Sequence, residues 1–378
     1  MKALFDITID FSKSKGSYVY DKKLAKNYLD LFSMYSTLPL GYNHPIFDKS
    51  YYDLVCSVAH IRMTNNMFYS DELLEFISKF KQYVFSDNLH FTCTGALALE
   101  SAIKCAMVQK KVEKPIVISL ERSFHGLNSW GFITDRFAAT SERMKYYPKN
   151  DWLNLSFEDL EAYFSEGAVE NLVAIVLEPI QCTAGDLYIP LDQIARIREL
   201  CTLHDVCLIV DEIQTGFGVS GSIWYSDQIN LRPDILVFGK KTQISGLCAS
   251  DKYAECITSP VQKLEVTYDG DLIDAIRSTY ILKAYEEGDL IDEANKKGIL
   301  FRDMLEHRVL NYRATGLLIA FDFETKQIRD RFTSLCFQNG MICNGTGEKA
   351  VRMRPNLAIS QYEIDDANFI LDKVFQSL

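Results

Sequence analysis

The chain has 378 residues, of which 48% are hydrophobic and 24% charged, a composition typical of a globular protein with one or more cores and not of a disordered chain. The net charge of −11 leaves no surplus of Lys and Arg for binding a phosphate backbone, so we expect no nucleic-acid partner. No apolar run could span a bilayer, and the N-terminus lacks a signal-peptide core, so we expect a cytoplasmic protein with no membrane partner.

Short apolar runs alternate with amphipathic stretches through the middle of the chain. The runs are rich in β-branched residues and almost continuously apolar, which is typical of strands buried on both faces. This alternation predicts an α/β domain around a mostly parallel sheet. The predicted elements are a strand at 90–93, a helix at 96–111, strands at 115–120 and 172–177, a helix at 191–203, and strands at 206–210 and 234–238.

The C-terminal third has a different pattern, with a long predicted helix at 272–287 and a strand at 315–322. Ser360 and Glu363 have the spacing of a capping box, which predicts that a terminal helix begins there. We therefore predict a large α/β domain over 45–275 and a smaller α+β domain over 276–378. An N-terminal arm, 1–44, is expected to pack with the smaller domain.

The ten cysteines form no Cys-x-x-Cys pair and no cluster with the spacing of zinc ligands. Several stand inside apolar runs, as Cys207 does. We therefore expect small buried thiols in a reducing compartment, and no metal site.

A glycine motif raises one alternative function. Gly216, Gly218 and Gly221 match the pattern G-x-G-x-x-G after an apolar strand, as in nicotinamide oxidoreductases. That fingerprint requires the glycines to open a helix and an acid to end the second strand. Here no amphipathic helix follows, and Asp234 begins a strand, so we favour a flexible loop near an active site.

Two neighbouring predicted strands end in residues that could carry chemistry. Asp211 and Glu212 follow the strand at 206–210, and Lys240 and Lys241 follow the strand at 234–238. The carboxyl ends of strands are where α/β sheets place ligand chemistry. From these residues alone, a surface salt bridge between the two loops is as good an interpretation as a shared functional site.

These segments resemble the signature of the class III aminotransferases, which are fold-type-I pyridoxal-phosphate enzymes. The resemblance rests on Val210–Gly218 (VDEIQTGFG), on 233–235 and on Gly239-Lys240; the form of 238–243 is closest to the lysine 6-aminotransferase subgroup. Further matches cover nearly the whole chain, at 41–45, 94–98, 123–126, 178–181, 267–270 and 351–355.

The resemblance implies a function and a partner. A homodimer with shared active sites would move a distal amino group, such as the 6-amino group of lysine, to a 2-oxo acid such as 2-oxoglutarate, by a ping-pong mechanism. Another pyridoxal-phosphate reaction on this fold, a decarboxylation or an amino shift, stays open, as does a non-catalytic descendant of the family.

The resemblance also implies roles for residues around the cofactor ring. Lys240 would bond to the cofactor aldehyde and then act as general acid and base, and the family's spacing from Asp234 selects it over Lys241. Asp211 would keep the ring nitrogen protonated, and Gln214 would hydrogen-bond the phenolic oxygen.

Other residues would contact the ring faces and the phosphate. Phe124 would stack on one face and Ile213 would pack on the other, with Glu178 near the ring and His125 behind it. Thr94, Gly95 and Ala96 stand at a predicted helix N-terminus, where free N–H groups and the helix dipole favour an anion, although such a turn alone is an ordinary helix start. Thr267 would reach the phosphate of the neighbouring subunit.

Four positions concern the substrate. Arg352 would bind a substrate carboxylate through its guanidinium, unless it is a surface ion pair. Lysine 6-aminotransferases carry an Arg where this chain has Leu127, and a gate Glu where it has Thr183. Arg136 could supply the missing positive charge. The amine donor is therefore expected to be held differently from lysine in that subgroup.

Overall fold

The computed structural model of the chain describes residues 4–63, 67–128, 130, 152–167, 169–259, 264 and 266–378. The chain divides into two compact units that interleave in sequence. The sheet unit comprises Val55–Gly216 and Trp224–Thr279, and the terminal unit comprises Met1–Leu54, Phe217–Ile223 and Tyr280–Leu378. The domain boundaries predicted at 44/45 and 275/276 stay a prediction.

The described strands are short and are numbered in chain order. They are β1 (Tyr18–Asp21), β2 (Lys26–Asp30), β3 (Asn88–Thr92), β4 (Ile116–Leu120), β5 (Leu153–Leu155), β6 (Leu172–Leu177), β7 (Ile180–Gln181), β8 (Leu187–Tyr188), β9 (Cys207–Asp211), β10 (Ile235–Phe238), β11 (Ser245–Ala249), β12 (Leu310–Thr315), β13 (Leu318–Asp322), β14 (Met341–Ile342), β15 (Asn344–Thr346) and β16 (Ala350–Met353).

The longer described helices are Lys49–Val58, Asp71–Phe80, Gly95–Lys110, Phe157–Ser165, Leu191–Leu203, Leu272–Glu287, Leu290–Leu305, Lys326–Gln338 and Gln361–Ser377. Shorter helical turns lie at Ser33–Ser36, Lys81–Tyr83, Tyr225–Gln228, Lys240–Thr242, Asp251–Tyr253 and Glu255–Thr258. Within the described ranges, no helix combines the length and the apolar character that crossing a membrane would require.

A seven-stranded sheet organises the sheet unit, in the order β3-β11-β10-β9-β6-β4-β5. The pairs from β10 through β9, β6 and β4 to β5 are parallel, and only β11 runs antiparallel to its two neighbours. The prediction of an α/β fold around a mostly parallel sheet is therefore confirmed.

Both faces of this sheet are covered by apolar packing, which explains why the strands read as continuous apolar runs. On one face Val176 and Ile209 pack with the helix Gly95–Lys110, through Ala98 and Ala102. On the other face the alternate strand residues pack with the helices Phe157–Ser165 and Leu191–Leu203; the buried members include Leu160, Phe164, Ile175, Leu177, Ile194, Ile197, Leu208 and Val210.

The direction of the strands places several loops at one edge of the sheet. Because β4, β6, β9 and β10 are parallel, and β3 runs the same way on the far side of β11, their carboxyl ends share that edge. The segments that leave these ends begin near Thr94, Phe124, Glu178, Asp211 and Lys240. Residues distant in sequence are thereby gathered at one location.

The terminal unit contains two smaller sheets, in the orders β1-β2-β14 and β12-β13-β16-β15. The predicted strand at 315–322 is wrong at its start, because Thr315 ends β12 and the antiparallel β13 begins only at Leu318. Gly316 makes the turn with φ +54°, and a Cβ there would lie 2.5 Å from the carbonyl oxygen of Val219. The capping box that the sequence predicted at Ser360 and Glu363 is present.

Candidate active site

A cavity of about 200 Å³ lies at the carboxyl edge of the large sheet. Its lining comes from five separate segments of the sheet unit, all of which follow strand ends. The lining residues are Gly95, Ala96, Phe124, His125, Gly126, Glu178, Thr183, Asp211, Ile213, Gln214 and Lys240. Ten residues for which the sequence suggested a place around the cofactor or substrate are thus brought together here.

The two adjacent lysines are distinguished by the turn that carries them. Lys240 lines the cavity, whereas Lys241 is 3% exposed and its Nζ donates a hydrogen bond to the carbonyl oxygen of Gln214 at 3.1 Å. Lys240 has φ +54° and Gln243 has φ +61°, so the turn holds two non-glycine residues in the left-handed region. Such conformations persist where the surrounding structure enforces them, often at active sites.

Asp211 presents a buried carboxylate to the cavity. Nδ1 of His125 donates to Oδ2 of Asp211 at 2.9 Å, and the backbone N–H of Ile213 donates to Oδ1 at 3.1 Å. Both carboxylate oxygens are therefore held. A charged donor or a protonated ring nitrogen placed in the cavity would meet a preoriented negative charge.

The neighbouring Glu212 faces away from this chemistry. Its Oε1 accepts from the N–H of Ser226 and its Oε2 accepts from the N–H of Tyr225, both at 2.7 Å, and Thr215 Oγ1 donates to Oε2 at 3.0 Å. Burial raises the pKa of Glu212. These hydrogen bonds hold the Glu212 carboxylate against the main chain of Tyr225 and Ser226. Of the two adjacent acids, only Asp211 lines the cavity.

Glu178 follows β6 and contributes a second carboxyl to the cavity. Its Oε1 accepts a 2.6 Å hydrogen bond from the backbone N–H of Phe124. Burial and the negative charge of Asp211 raise the pKa of Glu178 well above its usual value. Glu178 therefore stays protonated to a higher pH than an ordinary glutamate, because a desolvated carboxyl beside a negative charge resists ionisation.

The start of the helix Gly95–Lys110 forms one wall. Thr94 caps it, and its Oγ1 accepts from the N–H of Leu97 at 3.3 Å. A Cβ on Gly95 would lie 2.5 Å from Cδ1 of Ile213, and a Cβ on Gly126 would lie 2.7 Å from Cβ of Ala96. Glycine at these positions allows Ile213 and the loop at 126 to pack closely on a helix N-terminus, which is a site for anions.

Three described residues that the sequence selected, Leu127, Thr267 and Arg352, are not among the lining residues of the cavity. Leu127 is 58% exposed and Thr267 is also exposed, and neither lines the cavity. Arg352 belongs to β16 in the terminal unit, where it is 7% exposed and its Nε donates to Oδ1 of Asn344 at 3.1 Å. Arg136 lies outside the described residues. Their predicted roles stay predictions.

The glycines that resembled a dinucleotide fingerprint open no helix. Residues 213–220 form turns, and the helical turn that follows spans only Tyr225–Gln228. The side chain of Asp234 accepts from the N–H of Leu208 at 2.8 Å and from Arg198 Nη1 at 2.9 Å. It stabilises the edge of the sheet opposite to the cavity and does not end a strand.

Two contacts could not be identified in advance. His125 was expected behind the ring, but its hydrogen bond to Asp211 joins residues 86 positions apart. The bond from Lys241 to Gln214 joins two loops in the same way. The only indication of the His125–Asp211 contact in the sequence was the histidine that directly follows Phe124 in the Ser-Phe-His-Gly segment.

Comparison with known proteins agrees with this site. The family model for class III aminotransferases matches residues 3–375. The L-lysine-epsilon aminotransferase of Mycobacterium tuberculosis is 31% identical over 96% of this chain and 90% of its own length, and that of Streptomyces clavuligerus is 28% identical over 96% and 89%. A solved lysine aminotransferase from M. tuberculosis superposes with a TM-score of 0.92 at 29% identity, covering 100% of this chain and 96% of its own.

Three findings agree with one another. The family model matches almost the whole chain, a relative of similar length is 31% identical, and a solved structure has the same fold. The expected fold type, cofactor and reaction class are confirmed with them. The chain belongs to the class III aminotransferases, a family of pyridoxal-phosphate-dependent enzymes.

Proposed function

We propose that the cavity beside Lys240 is the pyridoxal-phosphate site and that Lys240 is the residue that bonds to the cofactor. The observation that carries this proposal is the convergence of an amine, a held carboxylate and a helix N-terminus on one cavity, through Lys240, Asp211 and Gly95. These are the groups needed for the aldehyde, the ring nitrogen and the phosphate of the cofactor.

The residues fit such a group. Oε1 of Gln214 is buried without a hydrogen-bond partner among the described residues, so its amide has bonding capacity left for a ligand. The N-terminus of the helix that begins at Gly95 has no acidic residue in its first turn to neutralise the dipole. A planar polar ring with an anionic substituent would satisfy both features.

Each residue then has a defined task. When bound, the cofactor supplies an aldehyde that combines with amines and a ring that accepts electrons. Asp211, held by His125, keeps a proton on the ring nitrogen. Phe124 and Ile213, which line the cavity, would hold the two faces of the ring, and the amine of Lys240 would carry the proton to and from the substrate carbon.

The phosphate and the neighbourhood of the ring are assigned to the remaining residues. We assign the N–H groups that follow Thr94, at Gly95 and Ala96, to the phosphate, and Thr267 to the phosphate of the partner subunit. Glu178 would lie beside the ring, and its bond to the N–H of Phe124 fixes the residue that would stack on it.

The proposed reaction is transfer of a distal amino group, as in the 6-amino group of lysine, to a 2-oxo acid such as 2-oxoglutarate, in two half-reactions. It is supported by relatives whose names specify the epsilon amine of lysine. Arg352 is the proposed partner of a substrate carboxylate, and Arg136 stays a second proposed cation. Thr183 lines the cavity where a Glu stands in the lysine subgroup, and Leu127 replaces an Arg, so the donor is proposed to be gripped differently.

The test is a screen of the cofactor-loaded protein against lysine, ornithine, 4-aminobutyrate and simple diamines, each with and without 2-oxoglutarate. We expect a distal amine to convert the yellow cofactor spectrum to the pyridoxamine form, and the oxo acid to reverse it. Turnover without any oxo acid would instead indicate decarboxylation or an amino shift. Failure to bind the cofactor would indicate a non-catalytic protein.

Reduction with borohydride and peptide mass analysis test the lysine assignment. Lys240→Ala should abolish the covalent adduct, because the only amine that lines the cavity in the described residues is lost. Lys241→Ala is the matched control and should retain the adduct. An adduct that survives in Lys240→Ala and disappears in Lys241→Ala contradicts the assignment.

The functional unit is proposed to be a homodimer with shared active sites. Met67, Phe68 and Tyr69 are 68%, 66% and 77% exposed, an apolar segment of the sheet unit that would gain from burial by a second copy. Sedimentation of the wild type should give a dimer, and Phe68→Glu should weaken it. Phe369 is also an exposed phenylalanine, at 57%, but lies outside this segment. Phe369→Glu is therefore the control and should leave the dimer intact.

We propose a cytoplasmic location from the state of the cysteines. All ten are free, and eight of them are buried. Proteins with many reduced thiols are typical of reducing compartments. When the thiols are alkylated under denaturing conditions as the cells are opened, mass analysis of the protein should find ten alkylated cysteines, and a lower number would contradict the proposal.

A further inference from the structure

Lys241 is a buried cation that none of the tasks above uses. Only 3% of the residue is exposed. An ammonium group loses strongly favourable hydration on burial, so such a side chain needs partners for its charge or its N–H groups. Its Nζ donates to the carbonyl oxygen of Gln214 at 3.1 Å. The buried charge therefore rests against the main chain of a residue that lines the cavity.

The segment that receives this hydrogen bond is the turn after β9. Its start is tied to the neighbouring strand, because the N–H of Glu212 donates to the carbonyl oxygen of Val237 at 2.9 Å. Lys241 supplies a second tie, two residues further along the turn, at Gln214. The turn that carries Asp211 and Gln214 is thus joined at two points to the segment that carries Lys240.

Lys240 and Lys241 belong to one tight helical turn, Lys240–Thr242, closed by the N–H of Gln243, which donates to the carbonyl oxygen of Lys240 at 2.9 Å. One lysine lines the cavity and the next reaches Gln214. Because the turn is short and closed, the position of one lysine determines the position of the other. A displacement of the Gln214 main chain, which carries the side-chain amide, relative to the turn of Lys240 therefore requires the contact of Lys241 to break.

We propose that Lys241 is a positioning residue that fixes the amide of Gln214 relative to the amine of Lys240, so that both meet neighbouring substituents of one cofactor ring. The proposal rests on the proposed function, in which Gln214 contacts the phenolic oxygen and Lys240 the adjacent aldehyde. Removal of Lys241 should leave the covalent bond possible but loosen the polar contact to the ring oxygen.

The experiment is a double-mutant cycle on the holoenzyme. Lys241→Met keeps an unbranched side chain, shorter by the terminal nitrogen, and so removes the N–H donors. Gln214→Ala removes the side-chain amide but keeps the main-chain carbonyl that Lys241 contacts. The measurement is the pH midpoint at which the visible spectrum of the bound cofactor changes. We expect Lys241→Met to move this midpoint by about half a pH unit or more, because hydrogen bonds to a titrating system set its pKa.

The cycle distinguishes positioning from a general loss of structure. If Lys241 acts through the Gln214 amide, Lys241→Met should cause no further shift in the Gln214→Ala background. Lys241→Gln, whose amide can still donate to the carbonyl, should return the midpoint towards the wild-type value. Lys241→Leu, which also lacks a donor, replaces Lys241→Met in the cycle if that variant does not fold. No shift in the single variant, or an equal shift in both backgrounds, overturns the proposal.

Failure of the proposed function would look different. Borohydride reduction of each variant reports whether the cofactor is bonded to Lys240. An adduct on Lys241 would contradict the assignment of the reactive lysine itself. A normal Lys240 adduct with an unchanged midpoint would contradict only the positioning role.

Discussion

Nδ1 of His125 lies 2.9 Å from Oδ2 of Asp211, between two side chains that are 0% and 5% exposed. With the backbone N–H of Ile213 on Oδ1, this bond fixes both oxygens of a buried carboxylate, and loss of the imidazole would leave Oδ2 without its donor. The imidazole therefore controls how the charge of Asp211 is presented to the cavity.

Replacement of His125 should weaken cofactor binding. His125→Phe fills much of the same volume but leaves Oδ2 of Asp211 without its donor, so we expect the affinity for pyridoxal phosphate to fall roughly tenfold, corresponding to the usual penalty for an orphaned buried polar group. Fluorescence titration of the cofactor-free protein measures this affinity. His204→Phe, a change of the same kind beside Phe164, is the control and should bind normally. Equal affinities for both variants would contradict the dependence of Asp211 on His125.

Two threonine caps separate helix stability from phosphate binding. Oγ1 of Thr94 accepts from the N–H of Leu97, and Oγ1 of Thr325 accepts from the N–H of Ile328 at 3.2 Å. Thr94→Ala and Thr325→Ala should each lower the free energy of unfolding by about 1 kcal/mol, as loss of an N-cap usually does. Only Thr94→Ala should also weaken cofactor binding. A loss of affinity in both variants would show that the effect arises from stability alone.

Gly95 tests the close packing of the helix on Ile213. In Gly95→Ala the new Cβ would lie 2.5 Å from Cδ1 of Ile213, so the isoleucine must move. Overpacking of this kind costs about 1–3 kcal/mol, and we expect cofactor affinity to fall by about tenfold or more. Ile213→Val removes the clashing carbon, so the double variant should recover affinity. Absence of recovery would show that the displaced group is not Ile213.

Glu178 should make the stability of the cofactor-free protein depend on pH. Its pKa in the folded protein lies well above the usual value of 4.5, because the carboxyl is buried and Asp211 is nearby. The folded state therefore favours the protonated form, and the stabilisation is fully present below pH 4.5 and is lost as pH rises through the raised pKa. Glu178→Gln keeps an acceptor for the N–H of Phe124 but cannot ionise.

The free energy of unfolding, measured in denaturant at several pH values, checks this. The gain in stability of Glu178→Gln over the wild type should grow with pH above the usual carboxyl range. A difference that is constant with pH, or that grows towards acid, would contradict a raised pKa for Glu178. Glu158→Gln, at an exposed position of the helix Phe157–Ser165, is the matched control and should show no such trend.

Much of the sheet unit could be predicted because its signals are local. Strands buried on both faces require nearly continuous apolar residues, as in Leu172–Leu177, and the segment shows all six of them buried. The hairpin at Gly316 was not predicted, because 316–321 contains no polar side chain and only the close approach of Val219 shows that the glycine must turn.

The candidate site, like the fold, could be predicted from the sequence only in part. Asp211, Lys240 and the helix start at Gly95 follow strand ends, and the resemblance to a family assigned them roles. The choice between Asp211 and Glu212 depends on where the carboxylates point, which is set by the N–H groups of Tyr225 and Ser226 further along the chain. No spacing rule contains that information.

The sequence by itself therefore determined the fold class, the family and the segments that supply the chemistry, because each depends on periodicity or on an ordered set of short motifs. The resemblance to the family had selected Lys240 over Lys241 and had assigned a role to Asp211. Only the tertiary structure decided what Lys241 and Glu212 contact instead, and that His125 holds Asp211. These outcomes depend on contacts between loops that the strands bring together, and hydrogen bonds across such loops leave no periodic signal in the chain.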